Sequence, residues 1–170
     1  NVTIAPVKIK GRRRAEVAPG VFLHAEQRTG ERAAAPFGLV HGLASNVRPW
    51  DGVAAYLHAL GHTVVAIDQR GHGRSDAPDA GYDLDTAIAD LRALIDALGL
   101  ERPVLAGQSW GGTVVLEAAW RSPAAGRGIA CVDRGVVGPA PAVPGWGDWP
   151  SEPPAPGPDH PTPAPLVSRV

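Results

Sequence analysis

Short apolar runs alternate with longer amphipathic stretches along the first 138 residues, and this alternation constrains the fold more than any other feature. Five runs have the length and the apolar content of strands: 21–30, 37–42, 62–71, 102–107 and 128–133. Helical patterns lie between the later runs, at 49–61, 83–100 and 110–123. Strands that are joined by helices form right-handed βαβ units. The sequence therefore predicts an α/β fold with a doubly wound, mostly parallel sheet.

Two of the helical stretches have a defined apolar face and a glycine stop. In 49–61 the predicted face is formed by Val53, Leu57 and Leu60, and Gly61 ends the helix. In 83–100 the helix ends at Gly99. Its predicted face is formed by Ile88, Leu91, Ile95 and Leu98.

The composition changes abruptly near residue 138. Most of the chain's 18 prolines lie between Pro139 and Pro165, in a stretch with neither strand nor helix periodicity. Proline removes a backbone donor and fixes φ, so this stretch does not suit a helix or a central strand. We therefore predict a core over 1–138 and a Pro-rich, disordered tail over 139–170.

The overall charge and the cysteine content narrow the class of protein. A net charge of −1, with 44% hydrophobic residues, is typical of a globular protein that binds neither nucleic acid nor a membrane. The basic run 8–14 is interpreted as a solvated edge; the alternative is a phosphate-binding patch. The single cysteine, Cys131, is predicted to be a small buried hydrophobe. No membrane span or leader pattern is found, so a cytoplasmic location is expected, and the oligomeric state stays open.

The segment Gly107-Gln108-Ser109-Trp110-Gly111 joins a predicted strand to a predicted helix. This Gly-x-Ser-x-Gly spacing is typical of a nucleophilic serine on a sharp turn, where glycines let the strand and the helix pack closely. The alternative is a tight turn whose serine only caps the helix. We predict that Ser109 is a nucleophile.

A nucleophilic serine also needs two N–H donors for the oxyanion that forms during attack. The residue after the nucleophile, Trp110, supplies one of these donors in this motif. Leu43, in the loop after the strand at 37–42, is predicted to supply the other. His41 is expected to hold this loop, and the less favoured alternative is that it acts as the catalytic base.

The segments "HG", "IDQRGHGRSDAP", "AGQSWGG" and "CVDRG" follow one another in an order that resembles the α/β-hydrolase fold family, in its branch of small esterases, lipases and C–C bond hydrolases. The resemblance covers about residues 20–138. It implies that Asp68 to Ser75 form a non-catalytic turn in which His72 and Arg74 are structural, although Arg74 could face the pocket. Relatives that open epoxides use an Asp at the elbow, so Ser109 implies acyl transfer on a small ester-like substrate, without metal or cofactor.

The family order of the catalytic triad is serine, acid, histidine. Asp133 stands where some members carry the acid, and the alternative is a strand-end turn residue. His160 is the one histidine after Ser109, and it is not expected to act as the base. The fold is thus expected to be truncated after about strand six, in a truncated or frame-shifted fragment with impaired activity. The alternative function is an inactive hydrolase-like fragment or an interaction module.

Overall fold

A computed structural model describes residues 11–30 and 34–133. Its strands are β1 (Arg12–Ala18), β2 (Val21–Arg28), β3 (Phe37–Val40), β4 (Val64–Ile67), β5 (Val104–Gln108) and β6 (Gly128–Val132). The α-helices in these ranges are α1 (Asp51–Ala59), α2 (Leu84–Ala97) and α3 (Trp110–Arg121). The predicted tail over 139–170 and its boundary lie outside these ranges.

The strands form one sheet in the order β1-β2-β4-β3-β5-β6. β1 and β2 are antiparallel to each other and β2 is antiparallel to β4, whereas β4, β3, β5 and β6 run parallel. All four residues of β4 are buried, as expected for a parallel strand that is covered on both faces. The predicted α/β class and mostly parallel sheet are confirmed.

The two faces of the sheet carry separate apolar clusters, because successive strand residues point to opposite faces. Val40, Val65 and Ile67 belong to the cluster that contains α2 and α3. Leu39, Val64 and Ala66 belong to a second cluster, which contains Trp50 and Ala54 at the start of α1. Helices therefore cover both faces, which is the doubly wound arrangement predicted from the sequence.

The predicted face of α2 is confirmed. Ile88 and Leu91 are buried, and Ile95 and Leu98 pack against the same cluster. Asp83 begins the helix by accepting a hydrogen bond from the Thr86 N–H at 2.9 Å. Gly99 follows the helix with a φ of +62°, in the left-handed region that glycine adopts readily.

The predicted face of α1 is wrong at two of its three positions. Val53 is 42% exposed and Leu60 is 47% exposed, whereas Ala54 and Ala55 are buried. The reason lies before the helix, where Trp50 is buried at the end of a 3₁₀ turn. Residues four positions apart lie on the same face of a helix. Because Trp50 is buried, Ala54 is on the buried face of α1.

The two edge strands of this sheet differ from the sequence predictions. β1 was not predicted; its first residues, Arg12 to Arg14, are exposed, which agrees with a solvated basic edge. Cys131 lies on β6 and is exposed, so the prediction of a buried thiol is wrong. The cause is that β6 pairs with β5 alone in the described sheet, and its five residues are all exposed.

Candidate active site

Ser109 lies between β5 and α3 with a φ of +51° and a ψ of −117°. This combination is unfavourable for a residue with a side chain, and such strain is concentrated at functional sites. The conformation turns the chain sharply from the strand into the helix. Ser109 is half-buried.

The glycines on either side of Ser109 are required by close backbone packing. A Cβ on Gly107 would lie 2.1 Å from the Gly111 carbonyl oxygen, and a Cβ on Gly111 would lie 2.3 Å from the Val40 carbonyl oxygen. Both distances are far below the contact distance of two non-bonded heavy atoms, about 3.5 Å or more. The predicted role of the flanking glycines, close approach of strand and helix, is confirmed.

Backbone hydrogen bonds hold Ser109 on both sides. Its N–H donates to the Val132 carbonyl oxygen at 3.0 Å, and its own carbonyl oxygen accepts from the Thr113 N–H at 3.2 Å. The Ser109 side chain makes no capping hydrogen bond to α3. The alternative of a serine that only caps the helix is therefore not what the structure contains.

The loop after β3 lies directly against this turn. A Cβ on Gly42 would be 3.1 Å from the Ser109 Cβ and 2.7 Å from the Gln108 Oε1. Glycine at this position thus brings Leu43 and Trp110 to the same side of the sheet. In the part of the chain that the structure describes, neither the Leu43 N–H nor the Trp110 N–H donates a hydrogen bond within the protein.

His41 is fully buried, and both of its ring nitrogens are engaged. Nε2 accepts from the Gln69 N–H at 3.0 Å, so Nδ1 carries the proton and donates to the Gly42 carbonyl oxygen at 2.7 Å. Burial lowers the pKa of His41 below its ordinary value of 6.5, although the hydrogen bond to Gly42 opposes this shift. His41 is therefore a neutral ring that positions the loop, as predicted.

The turn after β4 is wound around the buried carboxylate of Asp68. Oδ1 accepts from the Val47 N–H at 2.8 Å, and Oδ2 accepts from the Arg74 N–H at 3.0 Å. His24 Nδ1 lies 2.9 Å from the same Oδ2. Asp68 thus joins the loop after β3 to the turn after β4, a structural role that agrees with the resemblance.

His72 and Arg74 also bond within this region. The His72 Nδ1 lies 2.8 Å from the Arg70 carbonyl oxygen. Arg74 places its guanidinium 3.7 Å from the buried Glu26 carboxylate. Both contacts hold protein groups to each other, so the structural reading applies to the two side chains. His72 additionally borders a small cavity together with Leu43 and Trp110.

The sequence analysis missed an ion pair beside that cavity. Arg70 donates from Nε and Nη2 to the two carboxylate oxygens of Asp90, each at 2.8 Å. Hydrogen bonding to Asp90 raises the pKa of Arg70, so the guanidinium is charged at neutral pH. The sequence did contain one indication of this pair. Asp90 lies next to the apolar face of α2, four residues before Leu94, where a charged side chain needs a partner.

The structure describes one of the two candidates for the rest of a triad. Asp133 follows β6, where Val132 pairs with Gln108, so it stands at the same strand end as Ser109. It is exposed and has a φ of +47°. His160 lies outside the described ranges. Within those ranges, no side chain hydrogen bonds to the Ser109 hydroxyl.

The described residues lack two features that would suggest other functions. No cluster of three or more His, Cys, Asp or Glu side chains is arranged to hold a metal ion there. No helix in those ranges is both long enough and apolar enough to cross a bilayer.

Known proteins provide an independent comparison. A family model for the alpha/beta hydrolase fold matches residues 35–157. A non-heme chloroperoxidase from Streptomyces lividans is 42% identical over 83 residues, which is 49% of this chain and 30% of that protein. Epoxide hydrolase A from Mycobacterium tuberculosis is 38% identical over 96 residues, or 55% of this chain and 29% of that protein.

Solved structures agree with the sequence comparisons. Epoxide hydrolase A from Mycobacterium thermoresistibile superposes with a TM-score of 0.65 and 35% identity, covering 71% of this chain and 38% of that one. The chain thus spans about a third or less of the length of the curated relatives it matches. The family match extends over most of the chain and includes β3 to β6 with the Ser109 turn. The chain therefore belongs to the α/β-hydrolase fold family.

Proposed function

We propose that this chain carries the nucleophile of a serine hydrolase that acts on small ester-like substrates by acyl transfer to Ser109. The observation that carries the proposal is the conformation of Ser109. A residue with a side chain at a φ of +51° costs free energy, and glycines that admit no side chain surround it. A serine that had only a structural role would not need this turn.

The proposed reaction has two steps. The Ser109 Oγ attacks the substrate carbonyl carbon while a base takes its proton, and the tetrahedral oxyanion then expels the alcohol, which receives that proton. Water, activated by the same base, attacks the acyl-serine and releases the carboxylic acid. The partner of the site is thus a small molecule with an acyl carbon.

The loop after β3 and the start of α3 support an oxyanion hole. We propose that the Leu43 and Trp110 N–H groups donate to the oxyanion, since both are free of intramolecular hydrogen bonds within 11–30 and 34–133. Removing one such donor typically costs about 3 kcal/mol of transition-state stabilisation. Gly42 supports this role because it brings the loop to within van der Waals contact of Ser109.

The similar proteins include epoxide hydrolases and a chloroperoxidase by name. The family resemblance implies an Asp nucleophile for epoxide opening, and this chain has Ser109 at that position. A serine alkoxide that opened an epoxide would leave a stable ether, whereas an acyl-serine is readily hydrolysed. Acyl transfer is therefore the proposed chemistry. One structural neighbour, from Exiguobacterium antarcticum, is named an esterase; its TM-score is 0.59 and its sequence identity is 28%.

Asp133 is proposed as the acid that would orient the base. Its support is its position, next to the residue that bonds the Ser109 backbone. A strand-end turn residue remains the competing explanation. The predicted impairment of this chain also stays a prediction, because it depends on the base, and His160 lies outside the described ranges.

The test is hydrolysis of p-nitrophenyl acetate and butyrate by the 170-residue chain, its Ser109→Ala variant and a Ser122→Ala control. Ser122 is a half-buried serine at the far end of α3, so its loss removes a hydroxyl without touching the turn. We expect Ser109→Ala to lose at least about a hundredfold in kcat/KM and Ser122→Ala to keep its activity. Equal rates in all three proteins would contradict the proposal.

A fluorophosphonate probe provides a second readout. It forms a covalent bond with an activated serine and leaves an unactivated one unlabelled. We expect one label per chain, absent in Ser109→Ala and present in Ser122→Ala. An unlabelled chain would show that Ser109 has no working base.

A further inference from the structure

A small cavity of about 90 Å³ lies beside the proposed oxyanion hole. Its lining residues come from β2, β3 and β4, from the loops after β3 and β4, and from the starts of α2 and α3. Leu43 and Trp110 form part of its boundary. These two residues also offer the N–H groups proposed to bind the substrate's oxyanion, so the cavity adjoins the proposed oxyanion hole.

The walls of the cavity are apolar. Five core side chains line it, and each is at least 97% buried: Leu23, Val40, Ile67, Leu91 and Val114. Removing an apolar chain from water into such surroundings is favourable, at about 0.8 kcal/mol per methylene group. The lining therefore suits an uncharged hydrocarbon group.

Four polar side chains at the boundary are already paired inside the protein. Arg70 and Asp90 bond to each other through two hydrogen bonds of 2.8 Å. Tyr82 donates its hydroxyl to the Pro78 carbonyl oxygen at 2.6 Å. Gln69 donates from its side chain to the His41 carbonyl oxygen at 2.6 Å. A charged group inside the cavity would thus lose hydration without gaining a partner from these four side chains.

The size of the cavity limits the group that it can hold. A cavity of about 150 Å³ accepts benzene, and one water occupies about 30 Å³ in the liquid. A volume of about 90 Å³ is smaller than that benzene cavity, so it favours a short aliphatic group over an aromatic ring.

We propose that this cavity is the acyl pocket of the enzyme and that it selects short, unbranched acyl chains of roughly two to four carbons. This proposal rests on the proposed function, since it assigns the substrate of that same site. Two residues determine the length of the pocket. Ala87, on α2, leaves room at one wall because its side chain is small, and Val114, on α3, closes another.

The first experiment measures kcat/KM on p-nitrophenyl acetate, butyrate, hexanoate and benzoate. We expect wild type to fall at least tenfold from butyrate to hexanoate and to benzoate. Ala87→Leu fills the pocket, so it lowers the ratio of the butyrate value to the acetate value at least tenfold. Val114→Ala lengthens the pocket and raises hexanoate relative to butyrate. The same chain-length profile in wild type and Ala87→Leu would overturn the proposal.

A binding measurement separates this proposal from the proposed function. Saturation-transfer NMR with ethyl butyrate uses Ser109→Ala, which cannot hydrolyse the ester, and the double variant Ser109→Ala/Ala87→Leu. We expect transfer to the butyryl methyl group in the first and its loss in the second, with both chains folded by circular dichroism. Binding without any Ser109-dependent hydrolysis refutes the function and keeps the pocket. Hydrolysis with equal transfer in both variants, or with no transfer in either, refutes the pocket.

Discussion

Two turns that follow the carboxyl ends of parallel strands are stabilised in opposite ways. The turn at Ser109 is possible because side chains are absent, since Gly107 and Gly111 sit where a Cβ would overlap backbone atoms. The turn after β4 is possible because one side chain is present, since the Asp68 carboxylate accepts hydrogen bonds from the Val47 and Arg74 N–H groups. The Ser109 turn thus depends on missing side chains, whereas the turn after β4 depends on the hydrogen bonds of one carboxylate.

The difference follows from what each turn must leave free. In the proposed reaction the Ser109 hydroxyl and the neighbouring N–H groups interact with the substrate, so they would not be free to stabilise the turn. The turn after β4 has no part in that reaction, and its carboxylate is completely engaged within the protein. Strain with close packing is thus found at the Ser109 turn, and a satisfied polar network at the turn after β4.

The largest effect is expected from adding a methyl group at the Ser109 turn. In Gly111→Ala the new Cβ would be 2.3 Å from the Val40 carbonyl oxygen and 2.5 Å from that of His41, so the backbone must move. We expect the free energy of unfolding to fall by about 3 kcal/mol or more, measured by urea denaturation. Gly52→Ala, on the exposed side of α1 with nothing within 4 Å, is the control and should gain up to about 1 kcal/mol. A similar result for both variants would show that packing does not explain the glycine at 111.

The second effect is expected from removing the carboxylate of the turn after β4. Asp68→Ala leaves the buried Val47 N–H and the buried His24 ring without their acceptor, and the Arg74 N–H loses its acceptor as well. We expect a loss of about 3 kcal/mol in the free energy of unfolding. Asp68→Asn keeps one acceptor oxygen and should lose about half as much. Equal stability of Asp68→Ala and wild type would refute the network.

A third variant connects the two kinds of turn. Gly73 has a φ of +56°, and a Cβ there would lie 2.2 Å from the Asp68 carboxylate carbon. We expect Gly73→Ala to cost about 2 kcal/mol in wild type and clearly less in the Asp68→Ala background, where the clash is gone. A double-mutant cycle of unfolding free energies measures the coupling. Additive effects would mean that the φ angle alone requires this glycine.

The smallest effect concerns the protonation of His41. Because burial lowers the pKa of His41 in the folded state, the unfolded chain binds the proton more readily below pH 6.5. Its contribution to stability is therefore present above pH 6.5 and is lost as the pH falls toward the folded-state pKa. We expect unfolding between pH 7 and 5 to take up more protons in wild type than in His41→Gln, by less than one proton per chain. Identical pH slopes would exclude this contribution.

The sequence was most informative where its periodicity and its glycine spacing reflect packing. The buried runs became β3, β4 and β5, and the Gly-x-Ser-x-Gly spacing identified the turn at Ser109. The apolar face of α2 was also predicted correctly. These features are local, since each depends on residues within a few positions of one another.

Features that depend on distant partners were missed. The phase of α1 follows from Trp50, which is buried against another element, and not from the apolar spacing inside the helix. The exposure of Cys131 follows from the position of β6 in the sheet order. The Arg70–Asp90 pair joins residues on two elements, and neither side chain stands out in its own stretch.

The hydrogen bond from the Ser109 N–H to Val132 has a consequence for the timescale of the site. In the described sheet, Val132 belongs to the outermost strand, and a strand paired on one side opens at a lower free energy than a central one. Each opening releases the backbone of Ser109. We therefore expect the Ser109 amide to exchange with deuterium at the rate of β6 and not at that of β5, so that the conformation of Ser109 lasts only as long as β6 stays paired.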